Sequence, residues 1–128
     1  VNTFFAPDEL LVTKKVLDCV VQVSHEFFNF PVTNVEQIQY AEYSEGMYYD
    51  THIDCGETLD LDRDLSVSVF LTPRDEYKEG NLSFLYPNGW VDIDEQQGSV
   101  VIFSSMLPHK VKKVEKGRRS SLVLWCRR

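Results

Sequence analysis

Two hydrophobic rhythms divide the chain. From Pro7 to Phe28 the apolar residues Leu10, Val16 with Leu17, Val20, and Val23 with Phe27 recur at helical spacing. Pro7 suits the first turn of a helix, and Asp8 and Glu9 stand where the positive end of the helix dipole favours acid. Asn29 and Pro31 are stop signals. The stripe predicts a helix lying on a sheet, with His25 near its end as an ordinary surface histidine. From Val35 onward the rhythm shortens to two. The segments Glu36–Tyr43, Met47–Ile53, Leu65–Leu71, Gly80–Leu85, Trp90–Ile93, Ser99–Phe103, His109–Val114 and Arg119–Cys126 predict short strands. Pro87-Asn88-Gly89 predicts a tight turn between two of them. One helix followed by many short strands predicts a mainly β domain of sandwich or barrel type.

Composition narrows the function classes. The 128 residues fit one domain with a single core. A formal charge of -7 argues against a general nucleic-acid binder, which shows a basic face, so no nucleic-acid partner is expected. Most of the basic residues of the C-terminal end, Lys110, Lys112, Lys113, Lys116, Arg118 and Arg119, read as solvated and not as a nucleic-acid site. Three scattered cysteines, Cys19, Cys55 and Cys126, form no C-x-x-C pair and suggest a reducing compartment, so a cytoplasmic location is expected. No apolar run is long enough to span a membrane, and neither a membrane partner nor a signal peptide is expected.

The chemistry concentrates in Tyr43 to Asp54, which reads YSEGMYYDTHID. Side chains two apart on a strand share a face, so His52-x-Asp54 aims an imidazole and a carboxylate at one point. Alone, H-x-D is a weak signal, since two ligands hold a divalent metal poorly. Of the three histidines, His25 falls in the helix, whereas His109 follows Leu107-Pro108 and opens a valine-rich strand. His109 is the natural third ligand. Two histidines and one carboxylate on one side of a metal make the facial triad of non-haem Fe(II) oxygenases. Cys55 would point away from Asp54 and is not expected to bind metal. Arg119 lies ten residues after His109. It alternates along one face of the last strand with Ser121, Val123 and Trp125, while Leu122 and Leu124 take the other face. A buried arginine needs an anionic partner, and a dicarboxylate cosubstrate would supply one.

These elements together resemble a known family. Tyr43-x2-Gly46-x2-Tyr49-x2-His52-x-Asp54 is followed by Gly80-Asn81-Leu82-Ser83-Phe84. Pro108-His109-x-Val111 and Arg119, with Trp125 six residues on, complete the set. The chain from about Ile38 to Trp125 resembles the 2-oxoglutarate and Fe(II)-dependent dioxygenases of the prolyl 4-hydroxylase type, including small bacterial and phage members. The resemblance implies a double-stranded β-helix, a form of jelly roll. It would occupy residues 35–126 and rest on the helix 7–28, within a single domain over residues 1–128.

It also implies roles. His52, Asp54 and His109 would hold Fe(II), with 2-oxoglutarate and dioxygen taking the open positions and ascorbate as an accessory reductant. Arg119 would pair with the distal carboxylate of 2-oxoglutarate, for which its planar fork is suited. Many animal prolyl 4-hydroxylases carry lysine there, and arginine matches the bacterial branch. Tyr43 would donate a second hydrogen bond to that carboxylate, and Ser121 a third. Succinate and carbon dioxide would be released, with hydroxylation of a prolyl residue in a peptide or protein. The same chemistry on a free amino acid or small metabolite is the alternative. A non-catalytic β-sandwich binding module is disfavoured by the intact His52, Asp54, His109 and Arg119. A zinc hydrolase would share the metal ligands but not Arg119 and Tyr43. Strict alternation places Asp50 beside His52 and Asp54 and sends Tyr49 to the opposite face, as a core or structural residue. Tyr40 is expected to be structural. Trp125 walls the pocket or simply packs in the core. The acidic segment Cys55–Asp64 corresponds to a loop over the substrate in the resembling family.

Overall fold

The three-and-four spacing of the N-terminal segment becomes a helix, α1, over Leu11–Phe28. The structure is a computed structural model and describes residues 1–5, 11–29, 31–32, 34–55 and 62–127. The first turn expected at 7–10, including Leu10, lies outside the described residues. Val16, Val20 and Ser24, each four apart, are buried, so this row is the packed face. Phe27, which continues the predicted stripe, is 75% exposed, so the packed face stops short of the last turn. Asn29 then adopts a left-handed φ of 48°, the usual way an asparagine closes a helix.

The strands in chain order are β1 Asn2–Phe5, β2 Asn34–Val35, β3 Gln39–Tyr43, β4 Tyr49–His52, β5 Leu65–Phe70 and β6 Tyr77–Glu79. They continue as β7 Leu82–Tyr86, β8 Gly89–Asp92, β9 Val100–Ser104, β10 His109–Val111, β11 Val114–Gly117 and β12 Arg119–Arg127. The larger sheet has the order β1-β3-β12-β5-β9, with β2 paired to the end of β12. The smaller sheet has the order β4-β10-β7-β8, and β6 pairs with β11 as a separate ribbon. Every ladder is antiparallel.

Three departures from the predicted strands have local causes. Asn2–Phe5 shows no alternation, and its pairing with β3 makes it a strand. Glu36–Tyr43 shortens to β3, and the two-residue β2 forms just ahead of it; both pair with β12. His109–Val114 also divides, because the chain changes partners within it. Val111 pairs in the smaller sheet, whereas Val114 pairs with Glu79 in the ribbon.

Two apolar layers fill the fold, one on each side of the larger sheet. Leu65, Val67 and Val69 of β5 and Leu122, Leu124 and Cys126 of β12 face the helix residues Val16 and Val20. The alternate residues face inward, where Phe70 packs with Tyr43, Ala41 and the smaller-sheet residues Leu82, Phe84 and Val111. The period-two pattern of β5 and β12 therefore separates a supporting layer from an inner layer. No helix among the described residues is long and apolar enough to cross a membrane.

Gly117 sets the start of β12. Its φ is 80°, and a Cβ there would collide with the backbone oxygen of Glu76. We predict that Gly117→Ala destabilises the protein by more than ~1 kcal/mol, since strain and clash act together. Chemical denaturation checks this; a variant as stable as the parent would contradict it.

Candidate active site

Strand pairing brings the predicted ligands together. β4 and β10 run antiparallel with His109 opposite His52, and the ring centroids are 4.3 Å apart. Asp54 lies just past β4, and its N–H donates to the Ser105 carbonyl at 2.9 Å, which ties it to the turn before β10. His52 Nε2 is 3.2 Å and His109 Nε2 3.3 Å from the same Asp54 oxygen, Oδ1. The ligand atoms of the three residues all lie within 4.8 Å of one another.

The rest of each side chain is held by the backbone and the sheet. His52 Nδ1 is 2.7 Å from the carbonyl of Asp50, and His109 Nδ1 is 2.8 Å from that of Leu107. A carbonyl only accepts, so each Nδ1 carries a proton, and Nε2 is the nitrogen each ring can offer to a metal. The second carboxylate oxygen, Asp54 Oδ2, accepts from Ser66 Oγ at 2.5 Å, and Ser66 in turn contacts Ser105 Oγ at 2.9 Å. Both serines are fully enclosed. Ser66 thus occupies one oxygen and leaves the other to the imidazoles.

Electrostatics agree with this division. Burial alone would raise the Asp54 pKa, but hydrogen bonds from His109, His52 and Ser66 hold it well below the usual carboxylate range. Burial opposes charge on His52, yet the contacts with Asp54 and the Asp50 carbonyl raise its pKa overall. A metal ion entering the site takes over the role of those protons. Two neutral imidazoles and one carboxylate on one side of a point fit Fe(II) with positions left open. Cys55 is not in the cluster.

A cavity of about 500 Å³ opens onto these ligands, a size suited to a small metabolite. Tyr43, Val123 and Trp125 line it. Trp125 therefore walls the pocket, with the Arg63 guanidinium stacked 3.8 Å from its ring centre. Arg63 also pairs with Glu36 at 2.6 Å. Burial pushes the Tyr43 hydroxyl up to about 12, against the nearby Arg119 charge, so it remains a donor. Tyr40 is structural as expected, its hydroxyl donating to Ser120 Oγ at 2.9 Å.

One expectation is corrected. Tyr49 is not a core residue: it is 44% exposed, lines the cavity and lies 4.2 Å from the His52 ring. The register with β10 shifts between His52 and Tyr49, and that irregularity breaks the strict alternation. Asp50 is exposed and serves His52 through its backbone. Arg119, expected to need an anionic partner, is 2% exposed and has one within the chain. Its Nε and Nη2 donate to Glu95 Oε1 and Oε2 at 2.8 and 3.1 Å. Neither Arg119 nor Ser121 is part of the cavity wall. Glu95 was not visible in the sequence, since it sits in the polar run Asp94-Glu95-Gln96-Gln97, which hydropathy marks as a turn. The pair Ser66 and Ser105 was missed because only the tertiary fold brings these distant serines beside Asp54. Most of the acidic loop, residues 56–61, lies outside the described residues.

The profile of the 2OG-Fe(II) oxygenase superfamily matches residues 38–127, most of the chain and all of the ligands. This chain belongs to the 2OG-Fe(II) oxygenase superfamily. The superfamily depends on Fe(II) and 2-oxoglutarate, and the triad here fits the metal. A PKHD-type hydroxylase of Maricaulis maris is 32% identical over 93 residues, which cover 73% of this chain and 42% of that protein. The chain thus spans less than half the length of that relative. A Pseudomonas putida prolyl-4-hydroxylase shares the fold with a TM-score of 0.80 at 21% identity, over 98% of this chain and 71% of that one. A Trichoplax adhaerens prolyl hydroxylase, solved with a hypoxia inducible factor peptide fragment, gives a TM-score of 0.77 at 23% identity, over 97% of this chain and 61% of that one.

Ser66→Ala removes the donor that holds Asp54 Oδ2. It is expected to weaken Mn(II) binding by about 10-fold or more, the usual effect of losing a partner behind a metal ligand. Calorimetric titration of the metal-free protein checks this, and unchanged affinity would show that Asp54 is positioned without Ser66.

Proposed function

We propose that this chain carries the catalytic core of an Fe(II)- and 2-oxoglutarate-dependent dioxygenase that hydroxylates a prolyl residue of a peptide or protein, releasing succinate and carbon dioxide. The observation that carries the reading is the triad itself. Two imidazoles with carbonyl-fixed tautomers and one carboxylate present their free ligand atoms to a single cavity. In this reading the two facing sheets form the double-stranded β-helix, within one domain resting on α1.

His52, Asp54 and His109 hold the iron from one side. A bound Fe(II) would activate dioxygen as the oxidant, with the 2-oxo acid giving up two electrons as it loses carbon dioxide, and the chain contributes binding, orientation and exclusion of water. The Asp50 and Leu107 carbonyls keep the Nδ1 protons, so neither imidazole needs to reorganise. Tyr43 offers its O–H from the cavity wall to the oxo acid. Arg119 stands behind Tyr43, its Cζ 5.3 Å from that ring, with its charge paired to Glu95. Ser121 is buried beside it and, being off the wall, is given no direct contact. Val123 and Phe103 give the pocket an apolar lining that keeps water away from the reacting face.

A peptide substrate is favoured by the mouth, where the exposed side chains of Tyr49 and Ile53 offer apolar surface beside His52. The similar Trichoplax protein, solved with a peptide, points the same way.

The test is 2-oxoglutarate-dependent succinate formation by the anaerobically Fe(II)-loaded protein on exposure to air, with and without proline-rich peptides. Succinate formation is expected to require iron and to fall by at least ~100-fold in His52→Ala, because two ligands hold the metal poorly. A peptide substrate is expected to gain one oxygen atom. Iron-dependent succinate formation that survives His52→Ala would contradict the assigned site.

A further inference from the structure

The buried ion pair between Arg119 and Glu95 changes what the pocket can select. Glu95 is fully enclosed, on the connection between β8 and β9. Its carboxylate accepts four hydrogen bonds. Two come from Arg119, one from the Tyr77 hydroxyl at 2.6 Å and one from the Leu82 N–H at 2.6 Å. Tyr77 and Leu82 are themselves buried, so moving Glu95 away would strand two donors as well as the guanidinium. Glu95 is therefore built in. Arg119 is neutralised before any ligand arrives, and Tyr43 stands between its guanidinium and the cavity.

We propose that Glu95 is a specificity-determining residue for the 2-oxo acid: by holding Arg119 it cancels most of the attraction for a distal carboxylate, so the pocket discriminates weakly between 2-oxo acids with and without one. This rests on the dioxygenase reading above. A second carboxylate brought to Arg119 would meet the like charge of Glu95 in a poorly hydrated place, where such repulsion is strong. What remains for the distal end of the acid is the neutral Tyr43 hydroxyl and apolar wall, which serve a methyl group nearly as well. Replacing the carboxylate by its neutral amide, Glu95→Gln, keeps an acceptor for the Leu82 N–H and leaves Arg119 with an uncompensated charge. The variant is then the form that demands a dicarboxylate.

The experiment is calorimetric titration of 2-oxoglutarate and of 2-oxopentanoate into the Mn(II)-loaded chain. 2-Oxopentanoate has the same five-carbon backbone with a methyl group in place of the distal carboxylate. For the parent protein the two affinities are expected to differ by less than about tenfold. In Glu95→Gln the ratio is expected to move by about tenfold or more toward 2-oxoglutarate, as a charge-assisted pair forms. 2-Oxoglutarate is also expected to raise the melting temperature of Glu95→Gln more than that of the parent. A parent protein that already prefers 2-oxoglutarate by more than that margin overturns the proposal, whether or not the variant folds. So does an unchanged ratio in a folded variant. If neither acid binds the Mn(II)-loaded parent or variant, the dioxygenase reading fails and the proposal falls with it. Binding of both acids with an unaltered ratio removes the role of Glu95 alone.

Discussion

A buried carboxylate must be answered by positive or donating groups, and Asp54 is the point where this constraint organises the site. Its Oδ1 is shared by two imidazoles and its Oδ2 is taken by Ser66. These contacts join three separate pieces of chain: β4 and the residues after it, the middle of the larger sheet, and the turn into β10. Each imidazole is in turn fixed by a carbonyl two residues before it. The folding free energy that orders these strands therefore also orders the ligand atoms, which is the preorganisation a metal centre of this kind requires. A second buried carboxylate, Glu95, plays the matching part elsewhere in the inner layer, where Arg119, Tyr77 and the Leu82 N–H converge on it. The polar groups of that layer are satisfied by the chain at both points, with apolar side chains between them.

The sequence made parts of this legible and hid others, for physical reasons. Side-chain periods are local, so the alternation of Arg119, Ser121, Val123 and Trp125 against Leu122 and Leu124 correctly separated the inner face from the helix-facing one. The helix ended where Asn29 predicted. His52, Asp54 and His109 were recoverable because few histidines are present and the motif spacing was specific. What failed was everything that depends on a partner strand. Tyr49 was misplaced because a register irregularity against β10 cannot be seen from β4 alone. The break after Val111 arises from a change of pairing partner. Glu95 was missed because a lone acid in a polar run looks solvated until the fold places a guanidinium, a phenol and an N–H around it. The inference that Arg119 needed an anion was sound, but the source of that anion was not readable from the spacing.

Membership of the 2OG-Fe(II) oxygenase superfamily gives the site its chemical context, and the particular arrangement gives it individuality. The metal ligands follow the expected pattern, while the far charge is already balanced. A single fold thus combines a cluster of three metal-ligand candidates with a buried ion pair between Arg119 and Glu95.

The central claim is that the chain presets three ligand atoms for one metal. The most direct measurement is a crystal structure of the protein with Mn(II) and 2-oxoglutarate, with the metal located by its anomalous scattering. The account predicts Mn(II) on His52 Nε2, Asp54 Oδ1 and His109 Nε2. It also predicts that the Asp50 and Leu107 carbonyls still hold the Nδ1 atoms and that Ser66 still donates to Oδ2. A metal seated on other residues, or bound through Nδ1 after rotation of either ring, would contradict it.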